Sequence, residues 1–125
     1  MRTISQIALL FGGCLVAAAG VLNGSEPLRL QVSPSVARAP ALLTVRVTVA
    51  AAADDRLLQV VAESSDFYRS SEVPLDGTNS APLKVFEFRN MPTGLYQVTG
   101  VLVGSHGPRA TAFKIAKVEP SVGAR

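Results

Sequence analysis

The chain has no tryptophan, one histidine and one cysteine among its 125 residues, and nowhere does it gather charge of one sign. Each shortage closes a class of function. The one cysteine, Cys14, lies inside the N-terminal apolar stretch, so a mature chain that loses that stretch has no thiol at all. A disulfide-stapled scaffold, a cysteine-ligated metal and a thiol nucleophile are thereby excluded. With His106 as the sole imidazole, a histidine-rich metal centre is excluded too, and the carboxylates show no dense calcium-loop spacing. Basic residues come singly between acidic ones, for a net charge of +3 that falls to +2 when Arg2 is removed with the leader. Nucleic-acid binding needs Lys and Arg gathered on one face, so that partner class is not expected.

What is present divides the sequence in two. Arg2 and the uncharged apolar run over 4–19, ending in Ala17-Ala18-Ala19, have the form of a signal peptide with small residues at the cleavage position. Phe11-Gly12-Gly13-Cys14 resembles a bacterial lipobox, in which the cysteine becomes a lipidated first residue. It departs from that pattern at Phe11, where an aliphatic residue is usual, and the apolar run continues beyond Cys14. Cleavage near Ala19 is therefore the reading adopted, with lipidation at Cys14 or an uncleaved anchor as alternatives. The address is exported, periplasmic or extracellular. Residues 20–27, small and polar with Pro27 at the end, read as a tether; Asn23-Gly24-Ser25 matches a glycosylation sequon there by chance.

From Leu28 to Val118 the pattern has a period of two, the signature of strands with one wet face. Leu28, Leu30 and Val32 alternate with Arg29 and Gln31. After a kink bracketed by Pro34 and Pro40, Leu43, Val45, Val47 and Val49 alternate with Thr44, Arg46 and Thr48. Further strands are predicted over 57–64, 67–73, 83–88, 95–103 and 110–118, separated by Asp76-Gly77, Pro82 and the Gly104 to Pro108 turn. Apolar residues on both parities of 95–103 predict a central strand with both faces covered. Seven strands in about ninety residues predict a two-sheet antiparallel sandwich, one domain over 28–118, with 119–125 as a loose tail. At 48% apolar and 17% charged residues the composition is that of a globular fold.

One local constellation is sharper. Met91-Pro92-Thr93-Gly94-Leu95-Tyr96, directly after Phe86-Glu87-Phe88, resembles the tyrosine corner of immunoglobulin-like and fibronectin type III-like sandwiches. The resemblance implies that the Tyr96 hydroxyl bonds back to the preceding crossover, with Pro92 and Gly94 shaping the turn. Leu30-Gln31-Val32-Ser33-Pro34 and the valine-rich strand after Pro40 are similar to the opening of bacterial immunoglobulin-like modules. Tryptophan and a cysteine pair, hallmarks of antibody-type domains, are absent. The Phe-x-Phe-x-x-x-Pro-x-Gly-x-Tyr run also resembles transthyretin-like regulatory domains of carboxypeptidases, the alternative strand order. Neither resemblance carries a catalytic motif or implies a cofactor, and such modules mostly bind, space or display.

Candidate sites are few. Asp66-Phe67-Tyr68-Arg69-Ser70-Ser71 places two aromatics and a guanidinium on a short segment, so Phe67, Tyr68 and Arg69 are the candidate contacts for a protein or glycan partner. Strict alternation lets only one of Phe67 and Tyr68 face the core. His106 reads as a solvated turn histidine. A Ser-His-Asp set drawn from Ser105 or Ser70, His106 and Asp66 has no nucleophile-elbow sequence behind it, and no enzymatic activity is expected. Asp54-Asp55 reads as a solvated loop pair.

Overall fold

The computed structural model describes residues 26–121; the stretch read as a signal peptide, with Cys14, most of the stretch read as a tether, and residues 122–125 lie outside them. The described chain is all-β. Its strands are β1 (Leu28–Ser33), β2 (Val36–Arg38), β3 (Ala41–Val49), β4 (Leu57–Glu63), β5 (Tyr68–Pro74), β6 (Leu83–Met91), β7 (Gly94–Gly104) and β8 (Gly107–Glu119), with a single 3-10 turn at Gly77–Asn79. They form two facing sheets, a smaller one in the order β1-β3-β6 and a larger one in the order β2-β8-β7-β4-β5. Among the described residues no helix is long and apolar enough to cross a membrane.

Alternation builds the core. On β3 every second residue from Ala41 to Val49 is buried; Leu58, Val60 and Ala62 on β4 and Tyr96, Val98 and Leu102 on β7 face them from the larger sheet. β6 adds Phe86, Phe88 and Met91, and β1 adds Leu28 and Leu30. Each fully buried Leu, Val, Phe or Met among them contributes about 1.5–3 kcal/mol by leaving water, the term that sets strand register here. Gly100 belongs to this packing, because a Cβ there would stand 2.9 Å from Leu30 Cδ1 and push the β1 edge away.

Two expectations change. The sandwich has eight strands among the described residues, and it is not wholly antiparallel: β2, inside the segment read as a proline-bracketed kink, pairs parallel with the end of β8 through Val36↔Lys117 and Arg38↔Glu119. Three residues are too few for alternation to announce a strand, and parallel pairing leaves no local mark. Secondly, β7 is central in the larger sheet, between β8 and β4, yet among the described residues only one of its faces is covered. Leu95 on the other face is 63% exposed.

Candidate functional site

That uncovered face is assembled by register. Tyr68, Glu63, Gln97 and Ile115 stand side by side across β5, β4, β7 and β8; the next row is Ser70, Val61, Thr99 and Phe113. Leu95, Lys117 and Val36 continue the face toward β2. Phe113 is 57% and Tyr68 60% exposed, and Ile115 and Val36 are similarly open. A shallow groove of about 370 Å³ runs among Glu63, Ser64, Ser65, Leu95, Gln97 and Ile115. Apolar side chains gathered in this way, rimmed by Glu63, Gln97 and Lys117, form the kind of surface that marks an interaction site. The outer face of the smaller sheet alternates differently: Arg29, Gln31, Thr48, Arg46 and Glu87 interrupt Leu83 and Val85.

The three residues singled out from the 66–71 segment are not gathered into one site. Phe67 turns inward and meets the Tyr96 ring edge to face, centroids 6.4 Å apart at 88°. The Arg69 guanidinium lies 5.1 Å from the Phe67 ring centre and donates to the Arg89 carbonyl at 2.6 Å, so it ties β5 of one sheet to β6 of the other. Tyr68 alone faces outward. Tyr96 is fully buried, and its hydroxyl donates to the Pro92 carbonyl at 2.7 Å, across the turn that holds Pro92 and Gly94. Burial pushes that hydroxyl above the ordinary phenol range, with the Ser64 hydroxyl and Arg69 acting in the opposite sense.

The opposite end of the sandwich holds a cluster whose members read in the sequence only as a wet loop pair and a turn. Asp55, read as solvated, is 0% exposed. One carboxylate oxygen accepts from the Ala52 N–H at 2.9 Å and the other from the Arg109 guanidinium, which makes the loop over 50–56 a closed turn. The signal missed was long-range, since Arg109 comes from β8. Beside it, Ser105 donates to Asp54 from its hydroxyl at 2.8 Å and from its N–H at 3.2 Å. These bonds hold the Asp54 carboxyl below its ordinary range, with the Arg56 guanidinium 3.7 Å away assisting. A Cβ on Gly104 would collide with the Asp54 carboxylate and Arg109, so glycine is what lets this cluster close.

His106 Nδ1 lies 3.1 Å from the Ser105 hydroxyl oxygen, which places a serine, an imidazole and a carboxylate in contact. The order is wrong for activating the serine. In a catalytic relay the imidazole stands between hydroxyl and carboxylate and takes the proton; here Ser105 stands in the middle and gives its proton to Asp54. Asp66 lies at the far end of β7 from Ser105 and His106. Among the described residues no group of three His, Cys, Asp or Glu side chains could hold a metal ion.

No protein-family model matches this sequence, and no curated protein matches it. Solved structures do resemble the fold. The superoxide reductase (neelaredoxin) of Ignicoccus hospitalis superposes with a TM-score of 0.61 at 14% identity, over 75% of this chain and 81% of that one. A single-substitution variant of it gives 0.61 at 16% identity, over 78% and 86%. The CARDB domain of a Pyrococcus furiosus protein, solved with two metal ions, reaches only 0.48 at 14% identity over 75% and 92%. At these identities the likeness is one of fold, a β-sandwich, and carries no chemistry across.

Proposed function

We propose that this chain is an exported, non-enzymatic immunoglobulin-like module with an interaction or structural role at the bacterial envelope. The observation that carries the reading is the uncovered outer face of the larger sheet, where Leu95, Phe113, Ile115 and Val36 stay in contact with water. The chain's second apolar parity on β7 is satisfied by nothing in its own described fold, and a partner surface is the physical complement. The Tyr96 to Pro92 bond acts as a tyrosine corner that holds the crossover beneath this face. Export rests on Arg2, the apolar run over 4–19 and the small residues Ala17 and Ala19.

A photo-crosslinking side chain placed at Phe113 tests the interaction role, with Thr48 on the other sheet as control. Adducts in the bacterial envelope at Phe113 and none at Thr48 are expected; none at either, or equal adducts at both, overturns the reading. Intact mass after expression with the native leader tests export. A chain beginning near Gly20 in the exported fraction supports it, a lipidated chain beginning at Cys14 replaces it with envelope anchoring, and an unprocessed chain in the cytoplasm refutes both.

A second reading has its own observation. Tyr68 presents an open ring beside Glu63 and Gln97, an aromatic platform flanked by hydrogen-bonding groups on which a sugar ring could stack. A carbohydrate-binding or enzyme-accessory module is therefore the alternative, and a glycan panel separates the two.

A further inference from the structure

Among the described residues β8 is the longest strand, yet beyond β7 it is paired there only with β2, over Lys117, Val118 and Glu119. There the Lys117 N–H donates to the Ser35 carbonyl and the Ala39 N–H to the Glu119 carbonyl, each at 2.8 Å. Odd-numbered residues thus turn their backbone groups away from β7. The register is unbroken from Lys117 back to Thr111, so alternation sets the N–H and C=O of Thr111, Phe113 and Ile115 on that same side. Among the described residues no strand is hydrogen-bonded to them there; β1 packs alongside without pairing.

Beside this edge the seam between β8 and β1 opens into two grooves. One, of about 510 Å³, is lined by Glu26, Arg29, Gln31, Phe113 and Lys114; the other, of about 480 Å³, by Gln31, Ser33, Arg46, Lys114 and Ile115. The seam is basic. Arg29 lies 3.9 Å from Glu26, while Arg46 and Lys114 form no ion pair among the described residues. Lys114 shares the parity of Ala112 and Ala116, which face the core, so its ammonium stands in the seam while Phe113 and Ile115 point to the outer face.

We propose that the open edge of β8 takes an extended partner segment of alternating acidic and apolar residues by strand addition, an inference that rests on the interaction-module reading and names its partner chemistry. Residues opposite one another in a ladder point to the same side. An acidic residue opposite Lys114 enters the seam between Lys114 and Arg46, and its neighbours lie against Phe113 and Ile115, extending the apolar face. The main chain supplies affinity and the alternate side chains selectivity. Charge separates this occupant from a second copy of the chain. Antiparallel β8 to β8 pairing brings two basic seams together, and an inward-pointing lysine is a device that discourages such pairing. The edge of β5 is a poorer acceptor, since it ends at Pro74 and Arg69 is engaged with Arg89.

The test uses the protein purified after expression with its own N-terminal segment and three extended peptides of about ten residues: alternating valine and glutamate, its lysine counterpart, and the glutamate peptide N-methylated at alternate positions. The glutamate peptide is expected to bind and to slow hydrogen exchange at Thr111, Phe113 and Ile115. The lysine and N-methylated peptides, and Lys114→Glu tested with the glutamate peptide, should each bind about tenfold more weakly or worse. Equal binding of the acidic and basic peptides overturns the proposal, as does protection that appears on β5. Protection of the three amides without peptide also overturns it: independent of concentration, it assigns the edge to the chain's own segment, and rising with concentration, to a second copy. Crosslinks at Phe113 combined with no peptide binding would leave the module reading standing and remove strand addition alone.

Discussion

The two ends of the sandwich are closed by different chemistry. At the end where β7 begins, the crossover from β6 is held by a neutral phenol: Tyr96 reaches back four residues to the Pro92 carbonyl, and Phe67 packs on its ring. At the end where β7 finishes, ionised groups do the work, with Asp55 binding Arg109 and Asp54 binding Ser105, partners 54 and 51 residues apart. The loop over 50–56 is also laced to its neighbours through the backbone, Arg56 N–H to the Val103 carbonyl and Leu75 N–H to the Arg56 carbonyl, each at 2.9 Å. One end is closed by a local bond that shapes a single turn, with the Arg69 guanidinium on the Arg89 carbonyl as its side-chain tie between the sheets. The other is closed by long-range bonds that join three connections, so it should carry more of the stability and more of its pH dependence.

The largest effect that sharpens this comparison is expected from Asp55→Ala. It strips the Ala52 N–H of its acceptor in a buried site and leaves Arg109, 33% exposed, without its carboxylate. Losses from broken buried pairs and orphaned donors together point to about 2–4 kcal/mol, discounted from the fully buried case because Arg109 can rehydrate. Urea unfolding followed by far-UV circular dichroism measures it, and a loss below that of Tyr96→Phe would reverse the ranking of the two ends. Tyr96→Phe comes next. It removes one buried hydroxyl and leaves the Pro92 carbonyl to find water, a loss of about 1–3 kcal/mol with the sandwich dichroism preserved. No loss would show that the ring's packing alone holds the crossover.

The same contrast explains what could be read in the residues. Alternation over Leu43 to Val49 or Leu58 to Ala62 is a local pattern dictated by burial, so those strands and the sandwich itself were legible. The Tyr96 bond spans four residues, close enough for spacing and turn chemistry to suggest it. Asp55 and Arg109 have nothing between them in the sequence that links them, and an Asp-Asp pair after alanines has the composition of any wet loop. β2 escaped for a related reason: its strand character comes from β8, about eighty residues later. The bare outer face of β7 escaped because apolar residues on both parities say that two faces want cover and not that the chain provides it.

Acid should separate the ends further. The Ser105 hydroxyl and N–H hold the Asp54 carboxyl below its ordinary range, so the folded state binds fewer protons there than the unfolded chain does. That contribution is complete above the ordinary aspartate value of about 3.9 and is lost as pH falls through the lowered folded value. Comparing urea midpoints at neutral pH and near pH 3 in the parent and in Asp54→Asn should show a shallower acid loss in the variant. Identical acid profiles would place the pH dependence elsewhere. Tyr96, raised by burial, should contribute nothing to this acid limb; its stabilising contribution is lost only as pH rises through its folded value, above the ordinary phenol value of about 10.

The smallest expected change in stability is also the one that bears most on function. The chain has two tyrosines, both at the end where β7 begins. Tyr96 is buried with its hydroxyl engaged, whereas Tyr68 stands on the outer face, 60% exposed, and makes no hydrogen bond there through its hydroxyl among the described residues. Tyr68→Ala deletes a whole ring where Tyr96→Phe deletes one oxygen, yet the deletion should cost only about 0.5 kcal/mol, the usual scale for a surface position. If binding to a glycan or protein partner falls while the urea midpoint stays in place, Tyr68 is a contact residue, because the fold does not otherwise need an aromatic there. A stability loss as large as that of Tyr96→Phe would instead assign the ring to the sheet, through its cross-strand neighbour Glu63 and the β5 edge, and the outer face would keep only its aliphatic and Phe113 contacts as a candidate surface.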